Sequence, residues 1–196
     1  MKVFLISDTH FNHGQMQTYC QRPPNFTEKI VKNWTRQIKP EDTVIHVGDV
    51  GIGDWRLFNV TSLPGRKILV RGNHDMQHSN TWWMNHGFDF SCDGFLFRNA
   101  WISHRPANRM PKPAEINIHG HLHNAWHGFG KRQPELCPHQ RLFSVEYTNY
   151  SPVEFEKFVG NPERFLAIPP SPQELEIWNR KNSTEYFACR HKTNEI

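Results

Sequence analysis

The sequence predicts a mixed α/β fold in which a mixed sheet or sandwich is flanked by helices. One observation is that short apolar runs alternate with helical segments over about the first 75 residues, which is typical of βαβ units. A second is that each of these runs ends abruptly in polar residues of the same chemical kind. A third is that the apolar runs become shorter from residue 94 onward and that no long helix separates the first two of them. This favours a more antiparallel second half.

The first half of the chain contains three strand-like runs. Val3-Phe4-Leu5-Ile6 is apolar and ends in Ser7-Asp8-Thr9-His10, as a buried strand does where it enters a loop. Asn25 with Glu28 resembles a capping box and predicts a helix to about Ile38. The next predicted elements are a strand at Thr43–Val47, a short helix near Trp55–Leu63, a turn at Pro64-Gly65 and a strand at Lys67–Val70.

The second half contains shorter strands and ends in helical segments. The strands are predicted around Gly94–Arg98, Ala100–Ser103, Ile116–His119 and Leu142–Tyr147. Ser151-Pro152 with Glu154 predicts a helix to about Val159, because proline is favoured at the first helical position. Ser171-Pro172 predicts another helix to about Lys181. We therefore expect a domain of residues 1–160, a C-terminal helical extension of residues 161–196, and long loops at 105–114 and 124–141.

The bulk properties exclude several classes of protein. The 196 residues suffice for one compact domain but not for two full-sized ones. A net charge of +4 without a long basic run suits an anionic substrate but does not indicate a dedicated nucleic-acid binder. The four cysteines lie far apart, so neither a zinc knuckle nor a disulfide framework is predicted. Because no signal peptide or membrane span is evident, we expect a cytoplasmic protein without membrane contact.

Five clusters of His, Asp and Asn residues follow predicted strands. They are Asp8-x-His10, Gly48-Asp49, Gly72-Asn73-His74-Asp75, Ser103-His104 and Gly120-His121-x-His123. Their oxygen and imidazole donors suit Mn, Fe or Zn and not a thiolate site. In three of these clusters a glycine directly precedes the first donor, Asp49, Asn73 or His121. Glycine lets the backbone turn sharply there and approach an ion or a phosphate. A single His or Asp at a strand end is more often a cap or a surface residue, whereas five clusters in series indicate a metal centre.

In residue type and order, these clusters resemble those of the calcineurin-like metallophosphoesterase superfamily. The resemblance is carried by Asp8-Thr9-His10, Gly48-Asp49, Gly72-Asn73-His74-Asp75, His104 and Gly120-His121-Leu122-His123, and it spans residues 1 to about 160. The stretch from Phe143 to Tyr147, followed by Asn149 to Val153, also looks like the closing strand of small bacterial and phage members. The resemblance implies a four-layer sandwich of two mixed β-sheets flanked by helices.

The resemblance also implies a role for each matching residue. One divalent ion would be held by Asp8, His10, Asp49 and His123, and a second by Asp49, Asn73, His104 and His121, with Asp49 bridging the pair. Two cations together lower the pKa of a shared water, so that hydroxide is available near neutral pH. His74 would stabilise the transition state or protonate the leaving oxygen. Asp75 would orient His74, or would equally be an acidic residue favoured at a helix N-terminus.

Contacts to the substrate are suggested by position alone. Besides Asn73, they involve His13, three residues after His10, and Arg105, which directly follows His104. Arg71, before the Gly72-Asn73 turn, is a further guanidinium within reach of a phosphate. Placement on the surface is the alternative for each. His46 and His119 are interpreted as hydrogen-bonded strand residues without a role in the site.

The expected cofactors are two divalent metal ions, Mn²⁺ first, with Fe, Zn or Ni as alternatives. The expected reaction is hydrolysis of a phosphomonoester or phosphodiester bond in a small nucleotide or related phosphorylated substrate. After Gly48-Asp49 the chain continues Val50-Gly51-Ile52-Gly53, unlike the Gly-Asp-x-x-Asp-Arg-Gly of protein Ser/Thr phosphatases, which disfavours that substrate class.

Two alternative functions stay open. A nuclease acting on DNA or RNA would use the same fold, although the related repair exonucleases usually carry a larger extension. The bases of a nucleic-acid substrate could stack on Trp82, Trp83, Trp101 or Trp126, although core packing is the commoner role of tryptophan. The other alternative is a metal-binding scaffold for protein interactions without enzymatic activity. No oligomeric state is indicated.

Overall fold

The computed structural model describes residues 1–52, 60–124 and 136–160. Within these segments, nine strands form two sheets and are accompanied by four α-helices. The strands are β1 (Val3–Ile6), β2 (Thr43–His46), β3 (Arg66–Val70), β4 (Phe90–Cys92), β5 (Gly94–Phe97), β6 (Ala100–Ser103), β7 (Ile116–His119), β8 (Gln140–Leu142) and β9 (Val153–Glu154). The helices are α1 (Met16–Tyr19), α2 (Phe26–Gln37), α3 (Asn80–Met84) and α4 (Phe155–Gly160).

Both sheets are mixed. The first has the order β4-β3-β2-β1-β9, in which β1 to β4 run parallel and β9 is antiparallel to β1. The second has the order β5-β6-β7-β8, in which only the β5–β6 pair is antiparallel. The predicted α/β fold with two mixed sheets flanked by helices is therefore confirmed.

The expectation of a more antiparallel second half is confirmed for β5 and β9, which pair antiparallel with β6 and β1, but not for the pairs β6–β7 and β7–β8, which are parallel. Strands β6 and β7 are parallel, although no helix of the described segments lies between them. Two neighbouring parallel strands need a crossover connection that returns the chain to the end of the sheet where the first strand began. The long loop between Ser103 and Ile116 serves as that crossover, so a short strand spacing without a helix does not indicate antiparallel pairing here.

A single buried cluster of apolar side chains includes residues from both sheets and from the helices. Leu5 and Ile45 of the first sheet are fully buried, as are Ile102 and Ile118 of the second. From α2, the second helix, Trp34 enters this cluster and donates its indole N–H to the carbonyl of Pro64 at 2.9 Å. The shared core fixes the two sheets relative to each other, and with them the loops at their strand ends.

Two helix starts differ from the sequence prediction. Helix α2 begins where expected, but the side chain of Asn25 makes no capping hydrogen bond, so the capping box is not formed. Pro152 does not start a helix, because Val153 and Glu154 first pair with β1 as an antiparallel edge strand and α4 begins at Phe155. An edge position directly after a proline is compatible with its missing N–H.

The predicted strand Leu142–Tyr147 is also wrong beyond its first residue. Strand β8 ends at Leu142, and the chain then turns, with Tyr147 N–H donating to the carbonyl of Ser144 at 3.1 Å and Thr148 N–H to that of Val145 at 3.2 Å. The alternating apolar residues of this stretch are buried as a strand pattern requires, but they are buried along a turn. The turn brings Glu146 into the interior, where it meets a buried arginine.

Several predictions fall outside the described residues. They are most of the short helix near 55–63, the helix at 171–181 and the extension 161–196 as a whole; the domain boundary at 160 stays a prediction. The described cysteines, Cys20, Cys92 and Cys137, are free, as expected. Helices of the described segments are all too short or too polar to span a bilayer.

Candidate metal centre

The loops that carry the five clusters meet at one edge of the molecule. They follow the parallel strands β1, β2 and β3 of the first sheet and β6 and β7 of the second. Backbone hydrogen bonds join neighbouring loops, from Asp8 N–H to the carbonyl of Gly48 at 2.8 Å and from Gly120 N–H to that of His104 at 3.0 Å. A link between the sheets runs from His121 N–H to both carboxylate oxygens of Asp8, each at 3.1 Å. The strand ends of both sheets thus build a single site, as is usual for α/β folds.

Three groups of possible metal ligands lie in the described part of the chain, and two of them consist of residues predicted from the sequence; the third, Cys20, His123 and Glu146, shares His123 with one of these. The first consists of Asp8, His10 and His123, and the second of Asp49, His104 and His121. Within each group, one ligand atom per residue lies within 4.8 Å of the others. All six residues were predicted as ligands from the sequence, and the structure divides them as the family resemblance implies.

Asp49 lies between the two groups. Its Oδ2 is 3.6 Å from Nε2 of His10, in the first group, and 3.3 Å from Nε2 of His104, in the second. Its Oδ1 accepts the backbone N–H of His74 at 3.0 Å, which fixes the carboxylate plane. Asn73 joins the second group, because its Oδ1 lies 3.2 Å from the same His104 nitrogen. All seven predicted ligands are therefore brought together.

The backbone at these ligands adopts an unusual conformation. The φ angles are positive at five of them: Asp8 (53°), His10 (45°), Asp49 (56°), His121 (69°) and His123 (51°). Left-handed conformations cost residues with a β-carbon roughly 1–2 kcal/mol each, and they concentrate at functional sites. The chain keeps this strain because it turns the side chains of consecutive strand ends toward one point.

Two glycines make the close approach of these loops possible. A β-carbon on Gly72 would overlap the carboxylate and backbone nitrogen of Asp49, and one on Gly120 would overlap the side chains of Ser7 and Asp8. The sequence-based reason for these glycines was approach of the backbone to an ion or a phosphate; the structure shows close approach to the side chains of neighbouring loops, Asp49 for Gly72 and Ser7 and Asp8 for Gly120.

The charges of the site fit divalent cations. Although burial lowers it, the hydrogen bond to Asp49 and the charges of Asp8 and Asp49 raise the pKa of His104 to about 9. Burial and then the charge of His123 lower the pKa of His10, which is neutral. Both ring nitrogens of His10 are buried without a hydrogen-bond partner in the described part of the chain. A buried neutral imidazole that lacks partners and two buried carboxylates are what a cation would satisfy.

The tautomer of His104 would suit metal binding. Its Nδ1 lies 2.8 Å from the carbonyl oxygen of Val47, which can only accept, so Nδ1 carries the hydrogen. When the ring is neutral, the lone pair of Nε2 then faces Asp49 and Asn73. A backbone carbonyl is a common partner for the non-ligating nitrogen of a metal-binding histidine.

Of the two roles predicted for Asp75, the structure agrees with the one at a helix N-terminus, because Asp75 begins the short 3₁₀ helix Asp75–Gln77. Its Oδ2 accepts the backbone N–H groups of Asp49 at 2.7 Å and Gly72 at 2.8 Å, and its Oδ1 accepts that of Val50 at 3.0 Å. Both oxygens are thus directed to backbone amides and join the second and third loops; they do not face the ring of His74, which the other predicted role would require. Burial, followed by the charge of Asp49, raises the pKa of Asp75 to about 7.

His74 stands at the rim of the site. Its side chain is 44 % exposed, and its Nε2 lies 4.0 Å from Oδ2 of Asp49. The ring of His13 is half-buried and centred 5.8 Å from that of His10. Arg105 is exposed, and its charge contributes to lowering the pKa of His121, after burial and His104. These three side chains can therefore be reached from solvent next to the two ligand groups.

Other residues considered from the sequence have structural partners. The guanidinium of Arg71 is paired with Asp93 at 2.5 Å and donates to the carbonyl of His78 at 2.8 Å, so it is not available for a phosphate. His46 is fully hydrogen-bonded, as predicted. His119 is only half satisfied, because its Nδ1 meets the carbonyl of Gly120 at 2.9 Å whereas its buried Nε2 has no partner in the described residues.

Trp82 and Trp83 offer little for base stacking, whereas Trp101 is half-buried on β6. Both faces of Trp82 are covered, by the rings of His78 and His86 at centroid distances of 3.7 and 3.8 Å, and Trp83 is fully buried. Trp126 lies outside the described residues.

Arg22 and Glu146 are part of the site but were missed by sequence reasoning. Both are buried, and they form an ion pair with an N–O distance of 2.7 Å. Glu146 also contacts the ring of His123, and Arg22 donates to the carbonyls of Asp8 and Thr9. No local pattern could have shown this pairing, because the two residues are 124 positions apart.

Comparisons with known proteins agree with the geometry. A family model described as the calcineurin-like phosphoesterase superfamily domain matches residues 1–132. An uncharacterized protein of Methanocaldococcus jannaschii, MJ1445, is 30 % identical over 178 residues, which cover 85 % of this chain and 94 % of that protein. The Gene 66 protein of Mycobacterium phage D29 is 32 % identical over 82 residues, or 39 % of this chain and 41 % of the phage protein.

A solved structure has a similar fold. It is that of AQ665 from Aquifex aeolicus, a protein of unknown function, with 25 % identity and a TM-score of 0.61. The match covers 81 % of this chain and 98 % of that one.

Proposed function

The chain belongs to the calcineurin-like phosphoesterase superfamily, and from this membership we propose that it is a hydrolase that uses two divalent cations to cleave phosphomonoester or phosphodiester bonds. The favoured substrate is a small nucleotide or a related phosphorylated metabolite.

The position of Asp49 is the observation that carries this proposal. One carboxylate oxygen lies within 3.6 Å of an imidazole nitrogen from each of two ligand groups. A shared carboxylate offsets the repulsion between two cations held a few ångströms apart. When bound, such a pair of ions supplies an activated water and neutralises charge on the phosphate oxygens.

The donor set supports a metal of the Mn, Fe or Zn kind, with Mn²⁺ favoured and Ni also possible. The two groups contain only carboxylate and imidazole ligands, joined by the amide oxygen of Asn73. Cys20 lies beside His123, but burial raises the pKa of its thiol, which keeps it protonated and a poor ligand.

The residues of this chain have separate tasks in the proposed reaction. Asp49 and the histidines hold the reacting centre, and the rim position of His74 suits proton donation to the leaving oxygen. Arg105 and His13, on the accessible side of the ligand groups, are proposed to contact the phosphate or its substituent. Since Trp82 is covered on both faces, stacking of nucleic-acid bases receives no support from it.

The test is an assay of the full chain, stripped of metal and reloaded with Mn²⁺. Hydrolysis of p-nitrophenyl phosphate and of bis-p-nitrophenyl phosphate is measured in parallel. Asp49→Asn is the active-site variant. Asp42→Asn is its matched control, because Asp42 also accepts backbone N–H groups, from Lys2 and Lys39, but lies before β2 at the opposite end of the strand.

We expect Mn²⁺-dependent hydrolysis that Asp49→Asn loses by at least about a thousandfold and that Asp42→Asn keeps. The preferred ester separates a monoesterase from a diesterase. Metal-dependent cleavage of a single-stranded oligonucleotide, faster than of either small ester, would favour the nuclease instead. Two bound cations without turnover of any of these substrates would leave the metal-binding scaffold.

A further inference from the structure

A buried arginine connects two parts of the metal centre. The side chain of Arg22, in the loop after α1, has no exposed surface. Its terminal nitrogens donate to the carbonyl of Thr9 at 2.8 Å and to that of Asp8 at 2.6 Å. Its Nε donates to Oε1 of Glu146 at 2.8 Å. The guanidinium therefore ties the first ligand loop to the turn after β8.

Glu146 also contacts His123, and so connects Arg22 to this histidine. Its Oε1 lies 3.3 Å from Nδ1 of the imidazole, and its Oε2 accepts the hydroxyl of Ser144. An ionised carboxylate only accepts hydrogen bonds, so Nδ1 of His123 carries the hydrogen. In the neutral ring, the lone pair of Nε2 then faces Asp8, whose Oδ1 is 3.5 Å away. Glu146 thus selects the tautomer that can bind a cation beside Asp8.

The contacts of Arg22 disfavour a metal at the group formed by Cys20, His123 and Glu146. A cation there would lie next to the guanidinium that already neutralises Glu146. The group instead supports the ring of His123 from the side away from Asp8.

The two ligand groups differ in how their histidines are oriented. In the second, Nδ1 of His104 donates to a backbone carbonyl, that of Val47, which cannot be removed by exchange of a side chain. In the first, the corresponding partner of His123 is the carboxylate of Glu146. A buried ion pair is costly to desolvate and is weak evidence for stability in itself. Its contacts with the Asp8 loop and His123 give it a specific task.

We infer that Glu146, held by Arg22, is the positioning residue of the first cation site, and that it sets affinity there without controlling the second site. This inference rests on the proposed two-cation function. Removal of such a partner typically lowers metal affinity by roughly 10- to 100-fold.

The experiment compares Mn²⁺ binding to the metal-free wild-type protein and to Glu146→Gln, by calorimetric titration and by electron paramagnetic resonance. Glutamine keeps the shape and can still accept from His123, so the variant removes the negative charge, which neutralises Arg22 and raises the basicity of the His123 ring as a ligand. Asp93→Asn is the control, because it neutralises an arginine-paired carboxylate outside the ligand groups. Thermal unfolding of the metal-free proteins shows whether each variant is folded.

We expect wild type and Asp93→Asn to bind two Mn²⁺ and to give the spectrum of a coupled pair. Glu146→Gln should bind one Mn²⁺ with affinity within about twofold of wild type and the other roughly 10- to 100-fold more weakly. At one equivalent, its spectrum should match that of His10→Ala, which lacks a ligand of the first group, and not that of His121→Ala, which lacks one of the second.

Two bound Mn²⁺ with unchanged affinities in Glu146→Gln would overturn the inference, and so would equal weakening at both sites, which indicates a merely structural role. If Glu146→Gln does not fold, Ser144→Ala takes its place, because it removes one hydrogen bond from Glu146 and should weaken the same site by a smaller factor. Failure of the wild-type protein to bind a pair of cations would instead refute the proposed function, together with the inference.

Discussion

His46 should make the metal-free protein sensitive to acid. The side chain lies on β2, is 1 % exposed, and links the loops that carry Asp8 and Asp49. Its Nδ1 accepts the N–H of Gly48 at 3.2 Å, so the hydrogen is on Nε2, which meets the hydroxyl of Thr9 at 2.9 Å. A second proton would have to sit on Nδ1, facing the amide of Gly48. Burial accordingly lowers the pKa of His46 to about 3.

The size of the effect follows from linkage. The unfolded chain takes up this proton near pH 6.5, whereas the folded protein does so only near pH 3. Between these values the unfolded state binds more protons, so the free energy of unfolding falls as the pH falls. The loss is about 1.4 kcal/mol per pH unit, or roughly 3 kcal/mol on going from neutral pH to about pH 4.5.

The comparison that isolates this residue is urea unfolding of wild type and His46→Asn, both free of metal, from about pH 7 to about pH 4.5. The Oδ1 of asparagine can replace Nδ1 as acceptor for Gly48, but it does not titrate. At neutral pH the variant should be less stable by roughly 1–3 kcal/mol, because it loses the bond to Thr9 and leaves a small cavity. That deficit should shrink by roughly 3 kcal/mol at the acid end. A deficit that stays constant with pH would refute the reasoning.

Three further predictions concern the ligand groups. Cation binding near pH 7.5 should release about two protons, because the pKa values of His104 and His123 are raised in the metal-free protein and both rings must be neutral as ligands. Calorimetry in buffers of different ionisation enthalpy measures this release, and binding heats that do not depend on the buffer would contradict it. Gly120→Ala should lower Mn²⁺ affinity by roughly tenfold or more, because the new β-carbon displaces the carboxylate of Asp8; a titration that matches wild type would show that the loop can yield. His74→Ala should lower kcat by roughly 10²- to 10⁴-fold with two Mn²⁺ still bound by elemental analysis, and a loss of metal instead would make His74 a ligand.

The strands and the candidate ligands nearest to local signals were predictable from the sequence. Val3–Ile6 is a strand with the bounds that its apolar run predicts, and Asp8 and His10 follow it into the site. Such predictions succeed because the change from apolar to polar residues and the end of a strand are the same local event. The glycines before Asp49 and His121 could be interpreted from the sequence because they also lie at strand ends.

Contacts that depend on tertiary structure were not predictable. The apolar alternation around Val145 is satisfied by burial, but a turn buries these residues as well as a strand would, and only the turn brings Glu146 to Arg22. Asp75 follows His74 directly in sequence, which suggested that one orients the other, yet its oxygens face backbone amides of a loop about 25 residues away. Spacing along the chain does not encode which of several nearby donors a buried carboxylate meets.

Each ligand group draws on both sheets, and this makes a bound cation a cross-link. The first group connects Asp8, after β1, with His123, after β7, and the second connects Asp49 with His104 and His121. Like a disulfide, such a bond joins chain segments that are far apart in sequence, but it can be broken by chelation. A cation at a hundred times its dissociation constant would add about 2.7 kcal/mol to the free energy of unfolding. The stability of the contact between the two sheets would then depend on the concentration of free metal.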